Sequence, residues 1–354
     1  MSSADGTFAA EGWIIGRCGP VEGYVIAKDG IVSEIGDGHC PVKPDFKAVV
    51  VPEVINSHTH CADYGLRIPP GMTLQELVAP PDGLKHRYLR EAGDDVLGRN
   101  MEDFARDSAS FGSSTFIDFR ENGLHGCKLL RERAPGAVVL GRPTSPEFDP
   151  NEIGDILSVA DGIGISSISD MDHAYIEAVA DEVRAKRGIF AIHVSERVRE
   201  DIDFVLSLDP AFVVHMCEAT DSDLSKCAEA EVPIVVCPRS NRYFGKVPPI
   251  ARMFGCGADV AIGTDNGMIC RPDMKAEAAA FLDILECQGG DPSEVWKALS
   301  LLGGKILNRP KVISGAIQQA DMMVLPFTGV LSEDSVFRGE SRPVGLINKK
   351  NRRM

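Results

Sequence analysis

From about residue 47 to 266, short apolar runs rich in valine and isoleucine recur, each followed by a stretch whose apolar positions have helical spacing. That alternation predicts parallel βα units. The strand candidates are 48–55 (AVVVPEVI), 113–119 (SSTFIDF), 137–142 (AVVLGR), 162–168 (GIGISSI), 189–194 (IFAIHV), 212–216 (FVVHM), 233–237 (PIVVC) and 259–264 (DVAIGT). Helical spacing between them is clearest from Met171 to Arg187, with Ala174, Ile176, Ala178, Val179 and Val183 on one side. A second helix is expected from Asp221 to Ala230, opening on an acidic cap. From the third strand onward the starts lie 21 to 27 residues apart, a compact βα period. Eight such units close a barrel.

The expected fold is therefore α/β: a (β/α)8 TIM-like barrel over 48–309, with a small flanking β-domain made from both chain ends. Residues 1–47 read as short strands broken by glycine and aspartate turns (GWIIGRC, GYVIAKDG, IVSEIGDG), and 310–354 contains two similar runs, DMMVLPF and PVGLINKK. Between the first two barrel strands the segment Cys61 to Lys85 carries Pro69-Pro70-Gly71 and Pro80-Pro81-Asp82-Gly83. So long a connection in a compact domain is expected to fold over the barrel mouth.

Bulk properties narrow the function. A net charge of -15 would repel a phosphate backbone, so neither nucleic acid nor an anionic membrane is an expected partner. Only the tail Lys349-Lys350-Asn351-Arg352-Arg353 is basic, and it reads as a solvated terminus. No apolar run reaches membrane-spanning length, and Met1 to Ala10 has no leader pattern. The 10 cysteines contain no Cys-x-x-Cys pair, which favours reduced thiols in a cytoplasm. A small-molecule substrate is the expected partner, with a symmetric homo-oligomer possible.

Chemistry enters at the strand ends. His58-Thr59-His60 follows the first strand candidate, and residues i and i+2 of a strand point to one side, so two imidazoles can converge. His193 ends the fifth strand, His215 lies near the end of the sixth and Asp265 just past the eighth. Barrel active sites are built at such ends. Imidazole and carboxylate donors suit one divalent ion, Zn2+ by default with Fe2+ as the competitor, which would supply a hydroxide nucleophile from bound water. Glu196, three residues beyond His193, can act as general acid/base. His39, His86, His125 and His173 read as surface or loop residues.

These residues, with Val214-His215, Cys237-Pro238-Arg239-Ser240-Asn241 and Gly263-Thr264-Asp265-Asn266, resemble the amidohydrolase superfamily over roughly residues 48 to 330. The likeness is to its chlorohydrolase/cytosine-deaminase-like (ATZ/TRZ) branch. The resemblance implies that His58, His60, His193 and Asp265 hold one metal, that Glu196 shuttles protons with Asp265, and that His215 contacts the nucleophile or substrate. No lysine ends the fourth strand to bridge a second ion, so a mononuclear site is expected. Many deaminases of the branch have a substrate-holding histidine where this chain has Ser166, which weakens a nucleoside-type expectation. Arg67, Arg120, Arg239, Asn241 and Asn266 are further candidates for the substrate pocket, the arginines for a carboxylate or phosphate. The leading expectation is an aminohydrolase that releases ammonia from a small heterocyclic or amidine-like substrate. Hydrolysis of a cyclic amide, formimino or C–halogen bond at the same site is the alternative, and a non-catalytic binding barrel the remote one.

Overall fold

The computed structural model describes residues 6–16, 19–52, 54–78, 82–301, 305–306, 322–327 and 330–346. Outside them lie Met1–Asp5, Pro80-Pro81, the Ser314–Ala320 part of the returning segment and the basic tail Lys349–Arg353.

Two sheets organise the chain. In the smaller, β1 (Thr7–Gly16) pairs antiparallel with β2 (Gly19–Lys28), which pairs with β3 (Ile31–Asp37). On its other side β1 runs parallel to β4 (Phe46–Pro52). The larger sheet runs through β5 (Ile55–His60), β6 (Thr115–Arg120), β7 (Val138–Gly141), β8 (Gly162–Ile165), β9 (Ile189–Val194), β10 (Phe212–His215), β11 (Ile234–Val236) and β12 (Val260–Ile262). All neighbours in it are parallel. The short β13 (Asp265–Asn266) returns to β5 with Asp265 opposite Thr59 and Asn266 opposite His60, so the sheet closes into a barrel. Late in the chain, β14 (Met322–Pro326) and β15 (Val344–Leu346) join the smaller sheet on the free side of β4.

One strand expectation is corrected. The run at 48–55 is two strands: 48–52 belongs to β4 in the flanking sheet, and the barrel strand starts at Ile55. A unit boundary after residue 47 thus falls inside β4. Both faces of β4 are covered: Ala48 and Val50 join the flanking cluster with Ile14, Val25 and Val324, whereas Val49 and Val51 join the cluster under the barrel helices. Strands buried on both faces read as unbroken apolar runs, and in the sequence only Pro52 and Glu53 stand between this run and the next.

The barrel strands divide their side chains similarly. Ile55, Ile117, Leu140, Phe212, Val214, Val235 and Ala261 fill the interior, while Val139, Ile163, Val213, Ile234 and Val260 pack under the helices. The interior is thus a plug beneath the strand ends. Helix His173–Ala185 is capped by Asp172, whose carboxylate accepts from the Tyr175 amide. Helix Asp221–Glu229 begins where expected, but its cap is Thr220 in place of an acidic residue, and Thr220 forms a capping box with Asp223. Such a cap stabilises a helix by about 1 kcal/mol. The 61–85 connection contains a 3-10 turn at Cys61–Asp63 and the helix Leu74–Val78, and the helix Leu84–Glu91 follows.

Candidate active site

Four imidazoles meet above the plug. The His58 ring lies 4.9 Å from His60 and 4.8 Å from His193 between centroids, and His193 lies 5.5 Å from His215. Phe119 packs edge-on beneath His58, at 4.5 Å. Gly263 permits this closeness: a Cβ there would stand 2.7 Å from the His58 amide nitrogen. Asn56 clamps the seam by donating to Thr264 Oγ1 and accepting from the Thr264 amide. His215 and Asp265 have φ of 79° and 61°, left-handed values that non-glycine residues adopt only when surrounding structure imposes them.

Hydrogen bonds set which nitrogen each ring offers. His60 Nδ1 faces the Phe119 carbonyl at 3.1 Å, and His193 Nδ1 donates to the Ile165 carbonyl at 2.8 Å. Both rings therefore present a bare Nε2. His215 is the reverse. Asn241, its oxygen held by the Cys237 amide, donates to His215 Nδ1 at 3.1 Å, which leaves the proton on Nε2, 3.7 Å from Glu196 Oε1. Ser240 donates to Asp265 Oδ2, while Asp265 Oδ1 lies 3.4 Å from His58 Nε2 and 3.5 Å from His60 Nε2.

The residues fit a divalent cation. Both ring nitrogens of His58 are fully buried without a hydrogen-bond partner among the described residues. An orphaned buried polar atom costs about 1–3 kcal/mol, a cost that coordination would remove. Donor atoms of His58, His60 and His193 lie within 4.8 Å of one another, as do those of His58, His215 and Asp265. Burial lowers the pKa of His58 and of His215 to about 4, and burial and the neighbouring imidazoles push that of His193 well down, so neutral rings offer lone pairs. Asp265 is ionised: burial opposes this, but His58 and the neighbouring imidazoles outweigh it. Burial and the nearby Asp265 charge raise Glu196 to about 8.

These groups floor a pocket that is open to solvent at the mouth. Of the other sequence candidates, Ser166 and Asn266 line it. The three arginines do not. Arg67 is exposed away from it. Arg120 is buried beneath, paired with Glu121 and Asp118. Arg239, on the short helix Pro238–Tyr243, is paired with the fully buried Glu277 at 2.5 Å. Of these three, the two drawn out of solvent each have an acid of their own.

Sequence reading missed Lys85, Glu121 and Arg142 in the wall, and it misread His86 as peripheral. His39 and His125 are exposed, and His173 stacks on Phe204. Lys85 lies 2.8 Å from Glu121 Oε1 and 3.7 Å from Asp63 Oδ2, and donates to Asn266. Glu121 Oε1 also stands 3.1 Å from His60 Nδ1. Arg142 was findable, because it ends the third strand run, the same placement that singled out the histidines. Lys85 sits on a helix in the long connection, where nothing in the spacing marks it.

Comparison with protein families finds no matching family. Individual proteins do match. A Methanothermobacter thermautotrophicus protein named "Putative aminohydrolase" is 32% identical over 75% of this chain and 76% of its own length. An Archaeoglobus fulgidus protein of the same name is 37% identical over 68% and 70%. Among solved structures, an adenosine deaminase from Xanthomonas campestris with bound zinc superposes with a TM-score of 0.71 at 16% identity, covering 95% of this chain and 89% of that one. A triazine hydrolase variant superposes at 0.75 and 13% identity, covering 97% and 95%.

Proposed function

Because this chain belongs to the amidohydrolase superfamily, among its aminohydrolases, we propose that it releases ammonia from a small heterocyclic or amidine-like substrate at one divalent ion, zinc in this reading. The observation that carries the proposal is the convergence of His58, His60, His193 and Asp265 with Glu196 and His215 on one pocket. The first four would hold the ion. Bound there, it would lower the pKa of a water toward neutrality.

The chain's own groups then divide the work. The water oxygen adds to the amidine-like carbon, and Glu196 takes its proton. Glu196 returns that proton to the departing nitrogen, the C–N bond breaks and ammonia leaves. Burial and the Asp265 charge raise this carboxyl from the ordinary carboxylate range toward neutrality, as suits a group that takes a proton and gives it back. His215 carries its proton on Nε2, toward the pocket, and donates it as a hydrogen bond to the oxygen where charge develops. Asn241 fixes that tautomer, and Ser240 orients Asp265. The nine described cysteines are all unpaired, which supports a reducing, cytoplasmic setting.

Ammonia release across purines, pyrimidines, pterins and guanidino compounds tests the reading, with metal content measured in parallel. Glu196→Gln is expected to stop turnover while keeping the metal. Full activity in that variant, or protein that stays metal-free after metal-supplemented expression, would sink it.

A further inference from the structure

Three permanent cations line the pocket, and two are already matched. Lys85 faces Glu121 and Asp63, and Arg197 pairs with Asp170 at 3.2 Å. Arg142 is different. No carboxylate lies within 4 Å of its guanidinium among the described residues, and its hydrogen-bond partner is the neutral Ser166, whose Oγ accepts from Nη2 at 2.9 Å. The side chain is half-buried in the wall, and burial lowers its pKa, the more distant Glu121 and Asp170 offsetting only part of the lost hydration. Every other described arginine drawn into the body of the barrel has a carboxylate at contact distance, as Arg120 and Arg239 do.

Ser166 accepts from Arg142 and so keeps its own O–H to donate. The next serine cannot help, because Ser167 gives its hydroxyl to Glu200, which also takes Ser169 and the Ser195 amide. The pair adjoins the reacting end: Ser166 follows Ile165, whose carbonyl fixes His193. Phe244 and Val198 supply an apolar part of the same wall, suited to a flat ring.

We propose that Arg142 and Ser166 form the subsite for an anionic oxygen group of the substrate, a carboxylate or a phosphate, so that the substrate class is an amino-heterocycle bearing such a group. The guanidinium fork offers parallel N–H donors to two oxygens, and the serine hydroxyl adds a third. The inference rests on the aminohydrolase reading only for the nature of the reacting end.

Calorimetric titration of the metal-replete protein tests it with two pairs of probes: pterin against 6-carboxypterin, and adenosine against adenosine 5′-monophosphate. One anionic member is expected to bind about tenfold or more tightly than its neutral parent, the range of a charge-assisted hydrogen bond; which member it is separates carboxylate from phosphate. Arg142→Gln should erase that preference and leave the neutral parent's affinity unchanged, and Arg142→Lys should keep part of it. Ser166→Ala, which removes one buried oxygen and leaves the guanidinium in place, should weaken anion binding severalfold even if the arginine variants fold poorly. Equal binding of charged and neutral members, no measurable binding of either anion, or a preference that survives these changes overturns the subsite. Ammonia release without anion preference would overturn the subsite and leave the aminohydrolase reading intact. Anion preference with no ammonia from any probe or panel member would do the reverse.

Discussion

On the floor of the pocket His60, His193 and His215 each have one nitrogen tied down by the protein, and all that remains free points to a common centre. On the wall, Lys85 and Arg142 are both cations in partly desolvated positions, but Lys85 has two carboxylates and an amide around it while Arg142 has a single hydroxyl. The floor and Lys85 are internally matched, so their geometry is set before any ligand arrives. Arg142 is matched only if something else supplies the anion. Matching separates groups that build the site from groups that read the substrate.

The floor can be broken most deeply at its proton carrier. Glu196→Gln should lower kcat by about 10²–10⁴, the span of general acid–base catalysis, with metal content unchanged. On the wall, Lys85→Met should take from the buried Glu121 one of its two cations, leaving Arg120, and destabilise the protein by less than the about 3–5 kcal/mol of a fully broken buried pair, read in thermal melts. Lys85→Met combined with Glu121→Gln should recover part of that loss, since Arg120 keeps Asp118; no recovery would mean that the pair is not what holds Lys85 there. Asn241→Leu frees the His215 ring and should cut kcat by about 10–100-fold, as loss of an orienting partner does, with KM moving less. An unchanged kcat would remove the tautomer argument. Arg142→Gln should act on the binding of anionic substrates alone. His86 gives the smallest effect. Burial, reinforced by Lys85, lowers its pKa from 6.5 to about 4, so the fold favours its neutral form. That contribution is fully present above pH 6.5 and is lost as pH falls through about 4. His86→Gln should therefore lose less melting temperature than the parent between pH 6.5 and 4, and identical pH profiles would contradict it.

The barrel was legible because eight apolar runs at a compact period leave few alternatives, and because strand ends are where a barrel collects its polar groups. His58, His60, His193, His215 and Asp265 could be read together for that reason, since each lies on or beside a strand whose register the pattern defines. Where burial on both faces erased the alternation, the reading slipped: in the 48–55 run only Pro52 and Glu53 mark the crossing from the flanking sheet into the barrel, and the apolar residues on either side read as one strand. The arginines failed for another reason. Arg120 and Arg239 lie at or just past strand ends, the right places, but Asp118, Glu121 and Glu277 claim them, and Glu277 stands 38 residues from Arg239.

The sequence by itself determined the barrel, the return of both chain ends to one small sheet, and a His/Asp/Glu constellation at one rim. These follow from local periodicity and from strand direction, which act over a few residues. Only the tertiary structure decided which charges cancel. Lys85, Glu121 and His60 come from three separate segments, and Arg142 is left over because no acid among the described residues comes within 4 Å of it. Charge pairing depends on distances of a few ångströms across the fold, and no spacing along the chain encodes them.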